Sequence, residues 1–186
     1  VFNHKLMHGT NNFVKEKAMP FDISLRAVLT GIKIVENLKS NGINIIGTGE
    51  MGIGNTTTSS ALSAAILNLP VKEVTGRGAG LNDVKFQKKI EIIENGINKY
   101  GFRYSNFLDS VKGKNFNIRI IPILDLLSSV GGLDIAALTG IFLGGAIYKL
   151  PIVIDGVISE IAALLAYFIN PISKEYMIAS HLSREP

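Results

Sequence analysis

Between residues 21 and 40 apolar side chains return every third or fourth position: Leu25, Val28, Leu29, Ile32, Val35 and Leu38. That rhythm predicts an amphipathic helix after Pro20, with Asp22 or Ser24 as its cap and Asn41-Gly42 as its stop. The pattern then changes. INIIG at 43–47 is a short apolar run closed by glycine, the pattern of a buried parallel strand. After a glycine-rich loop, TTTSSALSAAILNL reads as a helix lined with small residues that can pack closely on a sheet. A brief VKEV stretch follows Pro70, then a second glycine-rich loop, TGRGAG at 75–80. Asn82 or Asp83 is placed to cap a helix whose apolar face carries Val84, Phe86, Ile90, Ile93 and Ile97.

Residues 101–119 are polar and predict irregular chain, with 121–130 helical or mixed. GGLDIAALTGIFLGGAIYKL at 131–150 is apolar on nearly every side, as a fully buried helix is. PIVID at 151–155 predicts a second strand, with Pro151 at its first position, where proline is tolerated. GVISEIAALLAYFI predicts a helix ended by Asn170-Pro171, and EYMIAS at 175–180 a third strand. Strands that alternate with helices predict an α/β fold with a mainly parallel sheet flanked by helices.

In such folds ligands bind beyond the carboxyl ends of the strands. GTGEMGIGNTT, TGRGAG, Asp155-Gly156 and SHLS should therefore converge on one rim. The first of these nearly matches the P-loop pattern, with Gly49, Gly54 and Thr56 in register, but Asn55 stands where the lysine belongs. Without that lysine a monophosphate is an easier guest than a magnesium-bound triphosphate. Glycines and a helix N-terminus still suit an anion, with Asn55 and the hydroxyls from Thr56 to Ser60 as neutral donors. A bare glycine turn is the plainer alternative.

TGRGAG with Lys88 and Lys89 is a second candidate cradle, unless both lysines are surface residues of an amphipathic helix. Glu50 fits a general base, a holder of a base-like substrate, or an acceptor for amides of its own turn. Asp155 fits a catalytic or ribose-binding acid, or the N-cap of the next helix.

Composition narrows these choices. Charged residues are 18% of the 186, below the roughly 25% of ordinary domains, and apolar ones 47%, enough for a sizeable core. The net charge of +4 is modest, and lysines are spread over helices with one loose loop group, Lys112, Lys114 and Arg119. No basic stripe for nucleic acid results. The chain has no cysteine, which excludes thiolate catalysis and favours a cytoplasmic address. Charges and Pro151 interrupt the apolar stretch at 133–169, so no membrane span is expected. His4 and His8 share helical spacing without the glutamate of a zinc motif, and no G-x-S-x-G elbow occurs. No metal or cofactor is expected.

Taken in order, HGTNNF, KEKAMP, GEMGIGNTT, GRGAGL with its lysine helix, VGGLDIAALTG, PIVIDGVIS and YMIASHLSREP resemble the nicotinate-nucleotide–dimethylbenzimidazole phosphoribosyltransferase family, of lower-ligand assembly in cobalamin biosynthesis. The resemblance spans essentially the whole chain. It implies a Rossmann-like α/β large domain over 21–186, with 1–20 linking to a small helical domain built from both chain ends and largely absent from this chain. It implies a homodimer and transfer of a 5-phosphoribosyl group from nicotinate mononucleotide to an aromatic base, giving α-ribazole 5′-phosphate and nicotinate. By motif, Met51 and Gly52 would lie against the nucleotide and Glu50 would face the reacting centre. Gly78, Gly80 and Lys89 would hold the 5′-phosphate. Asp155, Ser180, His181 and Ser183 would border ribose and phosphate. The family's general-base glutamate lies in a G-E-G-T-G motif downstream, past Pro186, so the chain reads as part of a larger enzyme. The rival expectation is a truncated nucleotide-binding domain without transferase activity.

Overall fold

The computed structural model describes residues 3–78, 80–102 and 113–183. Helix α1 (Phe21–Ser40) forms where the apolar rhythm predicts it. Its buried stripe runs through Ser24, Val28, Gly31 and Val35, and Leu29 is turned to solvent. The shift has a packing cause, since glycine at 31 lets a neighbouring helix backbone approach on that face. The cap also differs from expectation. Pro20 takes the N-cap position and no side chain caps the helix. Ser24 is fully buried, with its Oγ 2.7 Å from the Phe21 carbonyl and 3.2 Å from that of Leu124.

Strand β1 is only Ile46–Gly47, shorter than the run 43–47 predicts. The reason lies a hundred residues away in sequence. β1 pairs in parallel with β2 (Ile152–Ile154), Ile46 opposite Ile152, and the Ile46 amide donates to the Pro151 carbonyl. Upstream continuation needs an N–H from residue 151, which proline lacks. Ile43 and Ile45 are left exposed. On its other edge β2 pairs in parallel with β3 (Met177–Ala179), completing a three-stranded sheet in the order β1-β2-β3.

Among the described residues four helices lie between β1 and β2 in the chain. These are α2 (Thr56–Leu67), α3 (Asp83–Lys99), α4 (Phe116–Val130) and α5 (Leu133–Tyr148). The VKEV stretch is a 3-10 turn before α3. Helix α6 (Gly156–Ile169) makes the crossover between β2 and β3, with a 3-10 segment at Pro171–Tyr176. The fold is α/β, a parallel sheet flanked by helices.

Of the stretch expected to be irregular, 103–112 lies outside the described residues and carries Lys112 with it. Residues 116–119 belong to α4, begun by Asn115, whose side chain accepts from the Ile118 amide. Arg119 is therefore helical rather than in a loop, and its Nε donates to the Lys114 carbonyl. Pro122 sits inside α4 and forfeits one helical bond there.

Helix α3 is capped as the sequence suggests, by Asn82, whose Oδ1 accepts from the Lys85 amide at 3.0 Å. Asn82→Ala should cost about 1 kcal/mol of stability, read from urea melts. Val84 stands exposed in the first turn of α3, outside the apolar face predicted for it.

The stretch before α1 packs into the same core. Phe13, Ala18 and Met19 are buried. The Ala18 and Met19 amides donate to Ser129 and Ser128 carbonyls, and Ser128 Oγ donates back to the Met19 carbonyl at 2.6 Å. Phe13 lies over Gly96 of α3, where an added Cβ would come within 2.4 Å of the ring. The main core is built from α5 laid between α1 and the rest, with Phe142, Leu126, Leu127, Ile135 and Leu165 fully buried. Among the described residues no helix is long and apolar enough to cross a membrane.

Candidate functional site

The loops that follow β1 and β2 leave their strands at the same end of the sheet because the strands are parallel. Between them lies an open pocket of about 330 Å³. From the loop after β1 it is lined by Glu50, Met51, Gly52 and Ile53, and from the first turn of α2 by Thr56. The second glycine-rich loop supplies Gly78, the head of α6 supplies Asp155 to Ile158, and the chain after β3 supplies Ser183. All four predicted segments therefore reach one rim.

Glu50 bends over its own turn, where one Oε accepts the Gly52 amide at 2.5 Å. Gly52 and Gly54 both hold positive φ, which brings backbone to the pocket surface where a Cβ would be strained. Thr56 faces Gly78 across the seam between the two loops, its Oγ1 only 3.2 Å from where a Cβ on Gly78 would stand. Lys89 closes that seam from behind. It is 6% exposed, and its ammonium donates to Thr56 Oγ1 at 3.1 Å and to the Gly76 carbonyl at 2.9 Å. A lysine on α3 thus brings positive charge to the back of the pocket wall without lining the pocket itself. Its stem borders a second cleft with Thr57, Leu81, Lys85, Lys88 and Ile92. Lys88 is a surface residue, paired with Glu91 at 3.2 Å.

Asp155 occupies the N-cap position of α6, yet its carboxylate makes no cap bond to the helix. It lines the pocket, with Oδ2 3.4 Å from the position of a Cβ on Gly49. Two pocket carboxylates, Glu50 and Asp155, give this face a negative potential suited to a developing cation.

Other predicted donors are engaged elsewhere. Asn55 is buried and outside the pocket, and its Nδ2 donates to Asp134 Oδ2 at 2.6 Å. Asp134 is in the first turn of α5. A carboxylate only accepts, so this contact fixes the amide's orientation and leaves Asn55 Oδ1 buried without a hydrogen-bond partner among the described residues. The Thr58 and Ser59 hydroxyls donate to the Asn55 carbonyl and that of Ser60 to the Thr56 carbonyl. All three are buried and spent within the helix, so they are not the ligand donors the sequence suggested. Arg77 turns away from the pocket. It donates to the Leu81 carbonyl and to Asp83 and stacks over Phe86 at 4.9 Å.

Gly80, Ser180 and His181 lie outside the pocket lining. Gly80 closes its own turn by donating to the Arg77 carbonyl. Ser180 and His181 stand next to Asp155, with His181 Nδ1 3.7 Å from Asp155 Oδ1. The sequence reading put the loop that carries Ile53 and the Asp155-Gly156 turn at the rim without singling out Ile53, and it missed Val157 and Ile158 at the head of α6. The Asp-Gly turn directly after an apolar strand was the signal for that second group. At the N-terminus, His8 Nδ1 lies 3.0 Å from the Lys5 ammonium, which donates to it. No group of His, Cys, Asp and Glu suited to a metal occurs among the described residues.

The chain is 46% identical over 186 residues to the nicotinate-nucleotide–dimethylbenzimidazole phosphoribosyltransferase of Clostridium acetobutylicum, covering 100% of this chain and 48% of that protein. A protein of the same name from Clostridium perfringens is 43% identical over 185 residues. The crystal structure of CobT from Thermus thermophilus superposes with a TM-score of 0.83 at 32% identity, over 100% of this chain and 50% of that one. The chain spans about half the length of the curated relatives it matches. Residues 1–186 match the family described as Phosphoribosyltransferase, and the chain belongs to that family.

Proposed function

We propose that this chain forms the nucleotide-binding part of an enzyme that moves the 5-phosphoribosyl group of nicotinate mononucleotide to 5,6-dimethylbenzimidazole or a related aromatic base. The products are nicotinate and α-ribazole 5′-phosphate, the latter for cobalamin biosynthesis. The supporting observation is one pocket that joins two carboxylates, Glu50 and Asp155, to a glycine seam backed by Lys89. The names of the relatives point to the same reaction.

The chemistry suits these residues. The bond between C1′ and the ring nitrogen of the cationic nicotinate breaks, and its electron pair returns to the ring, so the leaving group needs no general acid. The sugar passes through an oxocarbenium-like transition state. Glu50 and Asp155 stabilise that charge more than they stabilise the ground state. The acceptor nitrogen attacks the opposite face of C1′, which inverts the anomeric centre, and the ring then gives up its N–H proton to a carboxylate base. Lys89 and the amides near Gly78 and Gly80 hold the 5′-phosphate, and Met51, Gly52, Thr56, Ser180, His181 and Ser183 border the nucleotide. Asn55 supports the loop through Asp134. In this reading the parent enzyme is a cytoplasmic homodimer, with 1–20 leading to a small helical domain and 21–186 forming the large one.

The test is the full-length protein that contains this chain, supplied with nicotinate mononucleotide and dimethylbenzimidazole. Chromatography should show nicotinate and the riboside phosphate appearing together. Tight nucleotide binding without nicotinate release would leave only a binding domain. In the active protein Glu50→Gln keeps an oxygen to accept the Gly52 amide and removes the charge. Its kcat should fall about 10- to 100-fold with KM little changed, the sign of an interaction made mainly in the transition state. Unchanged turnover would reduce Glu50 to a turn former.

A further inference from the structure

The VGGLD stretch at the head of α5 does not line the pocket, yet it closes on the residue that ends the pocket's first loop. Gly132 holds φ −125° and ψ 150°, extended backbone that any residue adopts. Its conformation therefore does not call for glycine. Its surroundings do. A Cβ on Gly132 would stand 2.4 Å from Asp134 Oδ1 and 3.3 Å from Thr58 Oγ1. Both of those side chains hold Asn55. Asp134 Oδ2 accepts the Asn55 amide at 2.6 Å, and the Thr58 hydroxyl donates to the Asn55 carbonyl at 2.9 Å.

Asn55 is the downstream anchor of the loop after β1. The upstream anchor is Thr48, whose amide and hydroxyl both donate to the Val153 carbonyl of β2, at 2.9 and 2.8 Å. Between them, 49–54 contains three glycines, and Gly52 and Gly54 hold positive φ. Met51 and Ile53 are exposed. Among the described residues the Glu50 carboxylate bonds only the Gly52 amide of its own loop. The reach of Glu50 toward Asp155 across the pocket is therefore set by the two anchors. Helix α5, in backbone contact with α1, is the rigid body to which Asp134 ties the second one.

We propose that Asp134, seated in the space kept free by Gly132, is a positioning residue that acts through Asn55 to hold the 49–54 loop with Glu50 facing Asp155. Its kinetic consequence rests on the transferase reading above. Glu50 acts on charge that develops in the transition state, whereas the 5′-phosphate is held from α3 by Lys89. Loss of the anchor therefore lowers kcat and leaves KM for the nucleotide nearly as it was.

The experiment compares kcat and KM of the full-length enzyme with those of Asp134→Glu, Asp134→Asn and Gly132→Ala. An aspartate in the first turn of a helix is also favoured by the helix dipole. For that role alone glutamate serves and asparagine does not. Positioning reverses the order, because asparagine keeps an oxygen at the right reach for the Asn55 amide and glutamate carries its oxygens one methylene too far. Asp134→Glu should lose about 10- to 100-fold in kcat with KM within about threefold of wild type, and Asp134→Asn should lose clearly less. Gly132→Ala should match Asp134→Glu in kcat, since the new methyl displaces the carboxylate. Its melting temperature should stay close to wild type, because the tip of a side chain gives way. A glutamate variant as active as the asparagine variant or more so, or a Gly132→Ala enzyme with wild-type kcat, overturns the proposal. A second measurement needs no turnover. In protein labelled with ¹⁵N-asparagine, the Asn55 side-chain amide, assigned with Asn55→Asp, should be shifted downfield and slow to exchange, and Gly132→Ala should remove both signs. A fast-exchanging Asn55 amide in the wild type also overturns it. Absence of nicotinate release by the wild type sinks the transferase reading instead, and the amide signals still decide whether Asp134 holds Asn55.

Discussion

Gly140→Ala is expected to destabilise the protein by about 3 kcal/mol or more, far beyond an ordinary surface change. The cause is a direct backbone contact between α1 and α5. A Cβ on Gly140 would stand 1.9 Å from the Val28 carbonyl oxygen and 3.1 Å from Gly31 Cα. From the other helix, a Cβ on Gly31 would stand 1.9 Å from the Ala137 carbonyl oxygen. One turn further on, Gly144 meets Val35 at 2.9 Å. These neighbours are backbone or a branched side chain at its root, so no rotamer change relieves the overlap and the helices must part. Alanine's better helix propensity returns at most about 1 kcal/mol. Thermal and urea melts of the full-length protein would measure the loss. Lys33→Ala, on the exposed face of α1, is the control and should stay within about 0.5 kcal/mol. A melting temperature for Gly140→Ala equal to that of the control would mean that the helices are not in backbone contact.

That crossing also shows where sequence reading stops. The apolar character of 131–150 gave a buried helix but not which glycines were spaces for another backbone, because the partner is about a hundred residues away. Local signals succeeded where the physics is local. Helix α6 runs from Gly156 to Ile169, bounded by the strand before it and Asn170-Pro171 after it, as read. Asn82 caps α3 through its own neighbours. Distant partners defeated the same rules elsewhere. β1 is cut short by Pro151, and Ser24 turned to Leu124 rather than capping α1.

In the site, the meeting of the loops followed from parallel topology alone. The orientation of individual side chains did not. Asn55 belongs to Asp134, 79 positions on, and nothing in GIGNTTT announces it. The hydroxyls of α2 turned inward because each has a helix carbonyl within reach, which competes with any ligand.

The second large effect concerns Lys89. Two helical turns into α3, its ammonium reaches back to the seam where Thr56 meets Gly78. Its bonds to Thr56 Oγ1 and the Gly76 carbonyl hold the ammonium at that seam, behind the pocket wall. A 5′-phosphate seated against that seam would gain a charge-assisted interaction, strengthened by low exposure. Lys89→Met fills most of the same volume and removes the charge. Nucleotide affinity, by titration calorimetry on the full-length protein, should fall about 10- to 100-fold, the loss of one hydrogen-bonded charge. The melting curve should move little, since the thioether replaces the buried stem. The lysine also ties two loops together, and that role alone could loosen the pocket for any ligand. The dephosphorylated riboside separates the two causes. If the charge acts on phosphate, Lys89→Met weakens the nucleotide and leaves the riboside as it was. If both ligands weaken together, Lys89 is a brace between the Thr56 and Gly76 loops, and the phosphate must be held by backbone amides without it.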